Sequence, residues 1–426
     1  SILLESNQDS RYIQLYPIES FRRLRFLEGS KLNKRGYLFG YIYEQSKASN
    51  SISLENLHVS RGWMDTSVCF GEPGFEERET ILNGLETAAS SGFTSILLNP
   101  NCDPPIDSHS SVEFLKRKSV STTTQIYPIG SLTNNSSGNN IAPLYDMKLA
   151  GAVAFGDYKQ SVNDSSLLKI SLEYSKTFGG RIISFSQDDF LSENGVINEG
   201  IVSTQLGLKG VPSISESISI FRDIEILEYS NGKIHFPYVN TKKGVDLIRN
   251  AKKRELDITC STSLAHLTLS DKDIIDFNTD LKLNPPLRRG SDIQALKEGL
   301  IDGTIDYVTS MHEPINDDYK KVVFDKALPG TIGLECVFGI LCNNFTLEKT
   351  IDILTRRKDV FNIENYPIKV GTQADLTLFN PEKNYVFSKD HILSSSKNCA
   401  FIDKNLKGIV YGSISNNKVT LNKLWT

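Results

Sequence analysis

Short apolar runs recur through the middle of the chain, and each is followed by a stretch whose apolar positions have helical spacing. Eight runs share this pattern: WMDTSVCF (63–70), SILLN (95–99), TQIYPIG (124–130), GAVAF (151–155), RIISFS (181–186), KIHFPYV (233–239), DITCS (257–261) and DYVTS (306–310). After the first run, Ile81, Leu85 and Ala88 lie on one helical face, and Gly92 can supply a left-handed stop. The pattern predicts strands that alternate with helices.

Alternation of this kind indicates parallel strand pairing with right-handed crossovers. Eight units over about 280 residues fit a closed barrel better than an open sheet. The sequence therefore predicts an α/β fold with a (β/α)8 TIM barrel over residues 57–358. The flanks, 1–56 and 359–426, are richer in Asn, Ser and Lys and contain short alternating runs. We predict that they form one small β-sandwich domain from both chain ends.

Composition narrows the functional classes. The formal net charge of −4 gives no reason to expect nucleic acid or an acidic membrane surface as a partner. No apolar run approaches the roughly 18 residues that a membrane span needs, and we expect no signal peptide. The six cysteines are scattered without a C-x-x-C pair, which is typical of reduced thiols in a cytoplasmic protein. The chain has only six histidines, and this scarcity limits any metal site.

Seven further motifs stand out along the chain: EPG (72–74), NPNCDPP (99–105), GAVAFGD (151–157), LKLNPPLR (281–288), ALKEGLIDGTIDYV (295–308), PGTIGLE (329–335) and GTQADLTLFNP (371–381). Together they resemble the class I dihydroorotases of the amidohydrolase superfamily. The resemblance implies a metal-dependent hydrolase barrel. Members of the family open the cyclic amide of dihydroorotate, or run the reverse condensation of carbamoyl aspartate, in pyrimidine biosynthesis.

Such chemistry needs a metal ion, because zinc lowers the pKa of its bound water from about 15.7 to about 7 and polarises the carbonyl. The resemblance places six metal-linked positions at the ends of the barrel strands: Ser67, Cys69, Asp157, Phe185, Tyr238 and Met311. Only the aspartate keeps the family's chemical type, and Met311 stands where the family has its base. Neutral hydroxyls are poor zinc ligands, and phenyl and thioether groups offer zinc little. We therefore expect no metal, no other cofactor and no catalytic residue here.

Two alternatives stay open. Cys69, Asp157 and His312 could form an atypical zinc site, and the chain would then be an active dihydroorotase or a related cyclic amidase. Alternatively, the chain could bind pyrimidine precursors without turnover. The positions that match substrate contacts in the family are Asn101, Asn284, His312, Pro329 and Gly330. Against this second alternative, Gly71 replaces the family's carboxylate-binding arginine.

The residues favour a catalytically inactive homologue, a pseudo-dihydroorotase. The resemblance suggests aspartate transcarbamoylase as its partner, because some family members that lack zinc ligands assemble with that enzyme. We also expect a homo-oligomer in the cytoplasm, with neither nucleic acid nor a membrane as partner.

Overall fold

A computed structural model describes residues 2–6, 14–16, 34–38, 41–45, 50–274, 276–369 and 372–426. Its centre is an eight-stranded sheet in which all neighbouring strands run parallel. The strands are β1 (Trp63–Val68), β2 (Phe93–Leu98), β3 (Gln125–Gly130), β4 (Ala154–Phe155), β5 (Ile182–Ile183), β6 (Ile234–Phe236), β7 (Ile258–Ser263) and β8 (Tyr307–Thr309). Each of the eight apolar runs overlaps one strand, so the predicted alternation and barrel are confirmed.

The sheet closes into a barrel where β8 meets β1. The backbone N–H of Cys69 donates to the carbonyl of His312 at 2.8 Å, within a parallel bridge between Val68 and His312. The buried carboxyl group of Asp65 accepts hydrogen bonds from the backbone N–H groups of Ser67 (3.0 Å) and Ser310 (2.8 Å) and from the Thr309 hydroxyl. Burial raises the pKa of Asp65, and these hydrogen bonds oppose the shift. One side chain in β1 therefore joins the first and last strands.

Helices surround the barrel, and several begin at a capping side chain, such as Thr80, Asp164 or Thr241. The α-helices are α1 (Ile81–Ser90), α2 (His109–Ser119), α3 (Leu144–Ala150), α4 (Ser165–Lys176), α5 (Asp189–Ser192), α6 (Ile201–Leu206), α7 (Ile214–Ser230), α8 (Lys242–Lys253), α9 (Leu264–Thr268), α10 (Gly290–Asp302), α11 (Asp317–Lys320), α12 (Val337–Asn344) and α13 (Leu347–Thr355). Short 3-10 helices cover Asn134–Ser136, Asp271–Asp273, Thr279–Leu281, Lys358–Phe361 and Lys389–His391. Among the described helices, none combines the length and the apolar composition that a membrane span requires.

The chain ends form the predicted small β domain. One sheet has the strand order Lys418–Leu421, Asn405–Ser415, Leu376–Val386, His58–Arg61 and Gln14–Tyr16. A second sheet has the order Tyr41–Gln45, Lys34–Leu38, Ile2–Ser6 and Asn50–Leu54. A short parallel ladder, Ile197–Asn198 with Gly210–Val211, lies in a barrel loop.

The boundary between the two domains differs from the sequence interpretation, which assigns residues from 57 onward to the barrel. His58–Arg61 pairs with Leu376–Phe379, so this strand belongs to the small domain. Its apolar side chains pack with that sheet because Val59 and Leu378 lie in the same buried cluster. The first barrel strand begins at Trp63, so Gly62 is the residue between the two domains.

Candidate functional site

A hydrogen-bonded group of polar side chains lies at the carboxyl ends of the barrel strands, where barrel enzymes carry their active sites. The hydroxyl groups of Ser67 and Tyr238 are hydrogen-bonded to each other, although 171 positions separate them in the chain. Asn99, directly after β2, donates from Nδ2 to the Ser67 oxygen at 2.8 Å and to the Val68 carbonyl at 3.2 Å. The same amide nitrogen lies 3.5 Å from the Cys69 sulfur. Ser67 on β1 and Cys69 directly after it, two of the predicted metal-linked positions, are thus both contacted by the Asn99 amide.

Two tyrosines and an ion pair form the outer part of this group. The ring of Tyr158 meets that of Tyr238 edge-on, with 6.5 Å between centroids. Above them, the Lys159 ammonium lies 5.1 Å and 5.5 Å from the two ring centroids. Its nitrogen is 2.6 Å from a carboxylate oxygen of Glu313, and the two side chains are only 8% and 12% exposed. The barrel mouth is therefore covered by aromatic rings beneath a nearly buried ion pair.

Little free space remains inside the barrel. The central cavity has a volume of only about 10 Å³, which is roughly enough for one water molecule. Its lining consists of Thr66, Ser67, Asn99, Ile129, Gly156, Tyr158, Ile183, His235, Pro237 and Tyr238. Deeper in, the His235 ring packs against Tyr307 and Phe361, at centroid distances of 5.9 and 5.6 Å. The interior is a packed core rather than an open pocket.

The backbone at the mouth is strained at three places. Tyr158, Tyr238 and Met311 follow β4, β6 and β8 respectively, and each has a left-handed backbone with φ of 57°, 54° and 54°. Non-glycine residues rarely adopt this conformation, and the strain is of order 1–3 kcal/mol at each position. The tyrosine and methionine side chains do not themselves favour a left-handed backbone, so they do not explain this conformation. Residues held this way cluster at functional sites in proteins generally.

Asp157, the only predicted metal-linked position that keeps the family's chemical type, accepts hydrogen bonds at both carboxylate oxygens. One carboxylate oxygen accepts from the backbone N–H groups of Leu132 (2.8 Å) and Thr133 (3.0 Å). The other accepts from the Thr133 hydroxyl at 2.6 Å. Burial raises the pKa of Asp157 in spite of these bonds. The carboxyl group holds the loop after β3 and is not part of the central cavity lining.

The other two candidate ligands of an atypical zinc site are also committed elsewhere. Burial, followed by the negative charge of Glu313, raises the pKa of the Cys69 thiol, which disfavours the thiolate that zinc requires. The His312 ring is fully buried, and its Nδ1 accepts from the backbone N–H of Gly333 at 3.3 Å. Its Nε2 lies 3.3 Å from the Ser394 hydroxyl. Burial lowers the pKa of His312 to about 3, so this imidazole is neutral.

These contacts do not fit a zinc ion. Within the part of the chain that the structure describes, no three His, Cys, Asp or Glu side chains come together in a way that could hold a metal. Phe185 and Met311, 3% and 1% exposed, belong to the main hydrophobic core. Zinc sites in proteins need three or four nitrogen, sulfur or carboxylate ligands. No metal-dependent step follows from this arrangement.

An open groove of about 340 Å³ lies nearby, formed by the loops after β5, β7 and β8. Among the positions predicted to bind substrate, Asn284 and Pro329 line this groove. Gly330 follows directly, and its N–H donates to the Lys282 carbonyl at 2.9 Å. Asn101 and His312 are not among the lining residues, so the five predicted positions do not surround one cavity.

Sequence reasoning did not find Asn99, Asp65 or the pair of Lys159 and Glu313. Asp65 had a detectable signal, since it is a charged residue inside the apolar run WMDTSVCF. Asn99 is the first residue of the motif NPNCDPP (99–105), in which only Asn101 was predicted to contact a ligand. The ion pair gave no signal, because its two residues are 154 positions apart.

Comparison with solved structures defines the class of fold. L-hydantoinase (dihydropyrimidinase) from Arthrobacter aurescens superposes with a TM-score of 0.83 at 18% identity, covering 99% of this chain and 96% of that one. D-hydantoinase (dihydropyrimidinase) from a Thermus species gives a TM-score of 0.78 at 15% identity, covering 99% and 95%. The chain therefore has the barrel and β-sandwich architecture of the hydantoinases.

Sequence comparison identifies the family within that class. A family model described as dihydro-orotase-like matches residues 58–244. The dihydroorotase of Pelotomaculum thermopropionicum is 35% identical over 370 residues, which cover 85% of this chain and 87% of that protein. The dihydroorotase of Acetivibrio thermocellus is 36% identical over 378 residues, covering 87% and 89%. This chain belongs to the dihydroorotase family.

Proposed function

We propose that this protein is a catalytically inactive member of the dihydroorotase family. In this proposal it serves pyrimidine biosynthesis as a structural partner of aspartate transcarbamoylase, within a homo-oligomer. The observation that carries the inactivity is the Ser67–Tyr238 hydrogen bond at the barrel mouth. It closes the space in which a metal ion and its water would have to meet a substrate.

The chemistry of the mouth supports the same conclusion. Hydrolysis of an unstrained cyclic amide needs an activated water and a group that accepts its proton. Burial raises the pKa of Tyr238 and of Tyr158 well above the ordinary value, so both phenols are neutral and are poor bases near neutral pH. His312 is neutral but its ring nitrogens face Gly333 and Ser394. None of these groups is placed to activate water in the central cavity.

The left-handed backbone at three residues of the mouth also supports descent from an active enzyme. The backbone geometry at Tyr158, Tyr238 and Met311 is costly and brings these tyrosines and this methionine no evident benefit. It is the kind of geometry that a working active site maintains. We infer that the side chains changed while the backbone around them was kept.

The proposal predicts no turnover of dihydroorotate or carbamoyl aspartate by the purified protein, with or without added zinc. The physical reason is that no described group of side chains at the mouth could hold a metal ion, and neither the two tyrosine hydroxyls nor His312 is placed to act as a base. The assay should follow both directions of the reaction by chromatography, with the dihydroorotase of Acetivibrio thermocellus as the positive control. Circular dichroism of the same sample would establish that it is folded.

Zinc-dependent turnover that survives further purification would contradict the inactivity. It would instead favour the alternative of an active dihydroorotase or related cyclic amidase with an atypical metal site. Substitution of Cys69 with alanine would then separate a genuine metal site from a contaminating enzyme, because only the former would lose activity.

A further inference from the structure

The groove at the barrel mouth has an acidic and partly apolar rim. The rim is formed by residues 187–199, called here the acidic loop, which follows β5 and includes α5 (Asp189–Ser192). Residues 182–208 contain four acidic residues and no lysine or arginine. The four are Asp188, Asp189, Glu193 and Glu199. Negative charge is therefore concentrated on one side of the groove.

These carboxylates lack cationic partners in the described structure. None of the four takes part in an ion pair with a described residue, whereas Asp257, Asp302 and Glu228 are each paired on the protein surface. Asp189 accepts only neutral donors, from Asn163 at 2.7 Å and Ser161 at 3.3 Å. Lys282, the one lysine lining the groove, is 6% exposed and donates to the Asp325 carbonyl at 2.9 Å. Arg289 donates to the backbone carbonyl of Glu199 at 3.1 Å, but no described cation is paired with the two carboxylates that line the groove, Asp189 and Glu193.

The acidic loop also exposes large apolar side chains. Phe190 is 86% exposed, more than any other large apolar side chain in the described part of the chain. Leu191 beside it is 41% exposed, and Ile201, two residues beyond the loop at the start of α6, is 77% exposed. Aromatic residues are enriched at protein–protein interfaces, where they fill pockets on the partner. An exposed phenylalanine among carboxylates is suited to a partner that is apolar and basic.

The groove itself has the lining that a basic side chain needs. Val196, Val211 and Pro286 provide an apolar wall, while Asp189 and Glu193 provide carboxylates at its edge. The amide oxygen of Gln187, which also lines the groove, is buried without a hydrogen-bond partner in the described structure. Arginine packs its aliphatic stem on apolar surface and donates from its guanidinium to carboxylates. A donor from an inserted side chain would also satisfy the Gln187 oxygen.

We propose that the acidic loop and the groove form the docking surface for the partner protein. The occupant is an arginine- or lysine-bearing segment of the partner, with Phe190 filling an apolar pocket next to it. This inference rests on the proposed partnership with aspartate transcarbamoylase and names the side of this chain that makes the contact. It also accounts for a groove that stays open after the catalytic cavity has closed.

The first test measures binding of purified aspartate transcarbamoylase from the same organism to the full-length protein by analytical ultracentrifugation. The double variant Asp189→Lys/Glu193→Lys should raise the Kd at least about tenfold at low salt, because like charges then face each other. It should also flatten the dependence of Kd on salt concentration. The matched control is Glu86→Lys/Glu364→Lys, which changes net charge equally at exposed positions away from the groove and should leave the Kd unchanged.

A second pair of variants tests the apolar contact separately. Phe190→Ser removes the exposed ring, which no described part of the chain covers, and should weaken binding at least about tenfold, as loss of an interface anchor does. Leu149→Ser is the control, since Leu149 is 65% exposed on α3. Neither change should alter the thermal unfolding midpoint, so a folding defect would be recognised at once.

The outcomes separate the two proposals. If the unmodified protein forms no complex with aspartate transcarbamoylase, the partnership is wrong and this docking surface is wrong with it. If a complex forms but both loop variants bind as tightly as their controls, the partnership stands and the docking surface is overturned. Binding of dihydroorotate or carbamoyl aspartate that is lost in Asn284→Ala, with the complex insensitive to the loop, would make the groove a small-molecule pocket instead.

Discussion

Truncation of Tyr238 to alanine is expected to lower the free energy of unfolding by about 3–5 kcal/mol, the usual range for deleting a buried aromatic ring. The side chain is 2% exposed, contacts the edge of Tyr158 and is hydrogen-bonded to Ser67. Its removal would leave a cavity between β1 and β6 and beneath the Lys159 ammonium. Urea denaturation monitored by circular dichroism measures the change.

Tyr238→Phe is the matched control for this experiment. It keeps the ring and removes only the hydroxyl, and Ser67 retains its hydrogen bond from Asn99. We therefore expect a loss of about 1 kcal/mol, the size of one hydrogen bond. If the alanine variant is as stable as the phenylalanine variant, the ring is not packed in a core. An open, water-filled mouth would then be the correct description.

Replacement of Asp65 with alanine is expected to lower the free energy of unfolding by about 3 kcal/mol or more, because several buried donors lose their acceptor at once. The backbone N–H groups of Ser67 and Ser310 and the hydroxyl of Thr309 all donate to this carboxyl group. These donors lie on or next to β1 and β8, the two strands that close the barrel. The backbone pairing between these strands is an isolated bridge at Val68 and His312, so few other hydrogen bonds hold them together. Thermal and urea denaturation would both report the loss.

The control for Asp65 is Asp318→Ala, at an exposed position in α11, which should change stability by less than about 0.5 kcal/mol. Hydrogen exchange adds a local test. Amides of β1 and β8 should exchange faster in Asp65→Ala, while those of β3 and β4 on the far side of the barrel should change less. Uniform acceleration across all strands would mean that Asp65 does not act as a link between β1 and β8.

Most of the fold could be predicted from the sequence because the barrel is built from local signals. Each strand is a short apolar run, and each helix repeats its apolar residues at helical spacing, as Ile81, Leu85 and Ala88 do in α1. The domain boundary was less accurate at His58–Arg61. That strand precedes the barrel directly, and only its pairing with Leu376–Phe379, more than 300 positions away, assigns it to the small domain.

The site could be predicted only as a set of replaced residues. The residue types at positions 67, 69, 185, 238 and 311 lead to the prediction that zinc ligands are missing, but they do not predict which contacts these side chains make instead. The Ser67–Tyr238 contact depends on the closed barrel bringing β1 and β6 together across its axis. The directions of the Asp157 carboxylate and the His312 ring depend on Thr133 and Ser394, in loops with no motif. Side-chain direction is the part of a site that residue spacing alone leaves undetermined.

Membership of the dihydroorotase family suggests one explanation for both the replaced residues and the packed barrel mouth. The chain is about 35% identical to dihydroorotases over most of its length, while the mouth of its barrel is packed like a core. Buried polar cavities are costly unless their groups are satisfied or replaced by carbon. Tyr158, Tyr238, Phe185 and Met311 supply that carbon, and Asn99 satisfies Ser67. On this account, loss of the metal ligands and stabilisation of the empty centre are one change.

The central claim is that the barrel mouth has no place for a catalytic metal ion, and one diffraction experiment tests it most directly. Crystals grown with zinc chloride should be measured at the zinc absorption edge, and the anomalous difference map inspected at the ends of the barrel strands. We predict no anomalous peak there, with Ser67 and Tyr238 in hydrogen-bonding contact. A well-ordered zinc peak bound by Cys69, Asp157 and His312 would contradict the account.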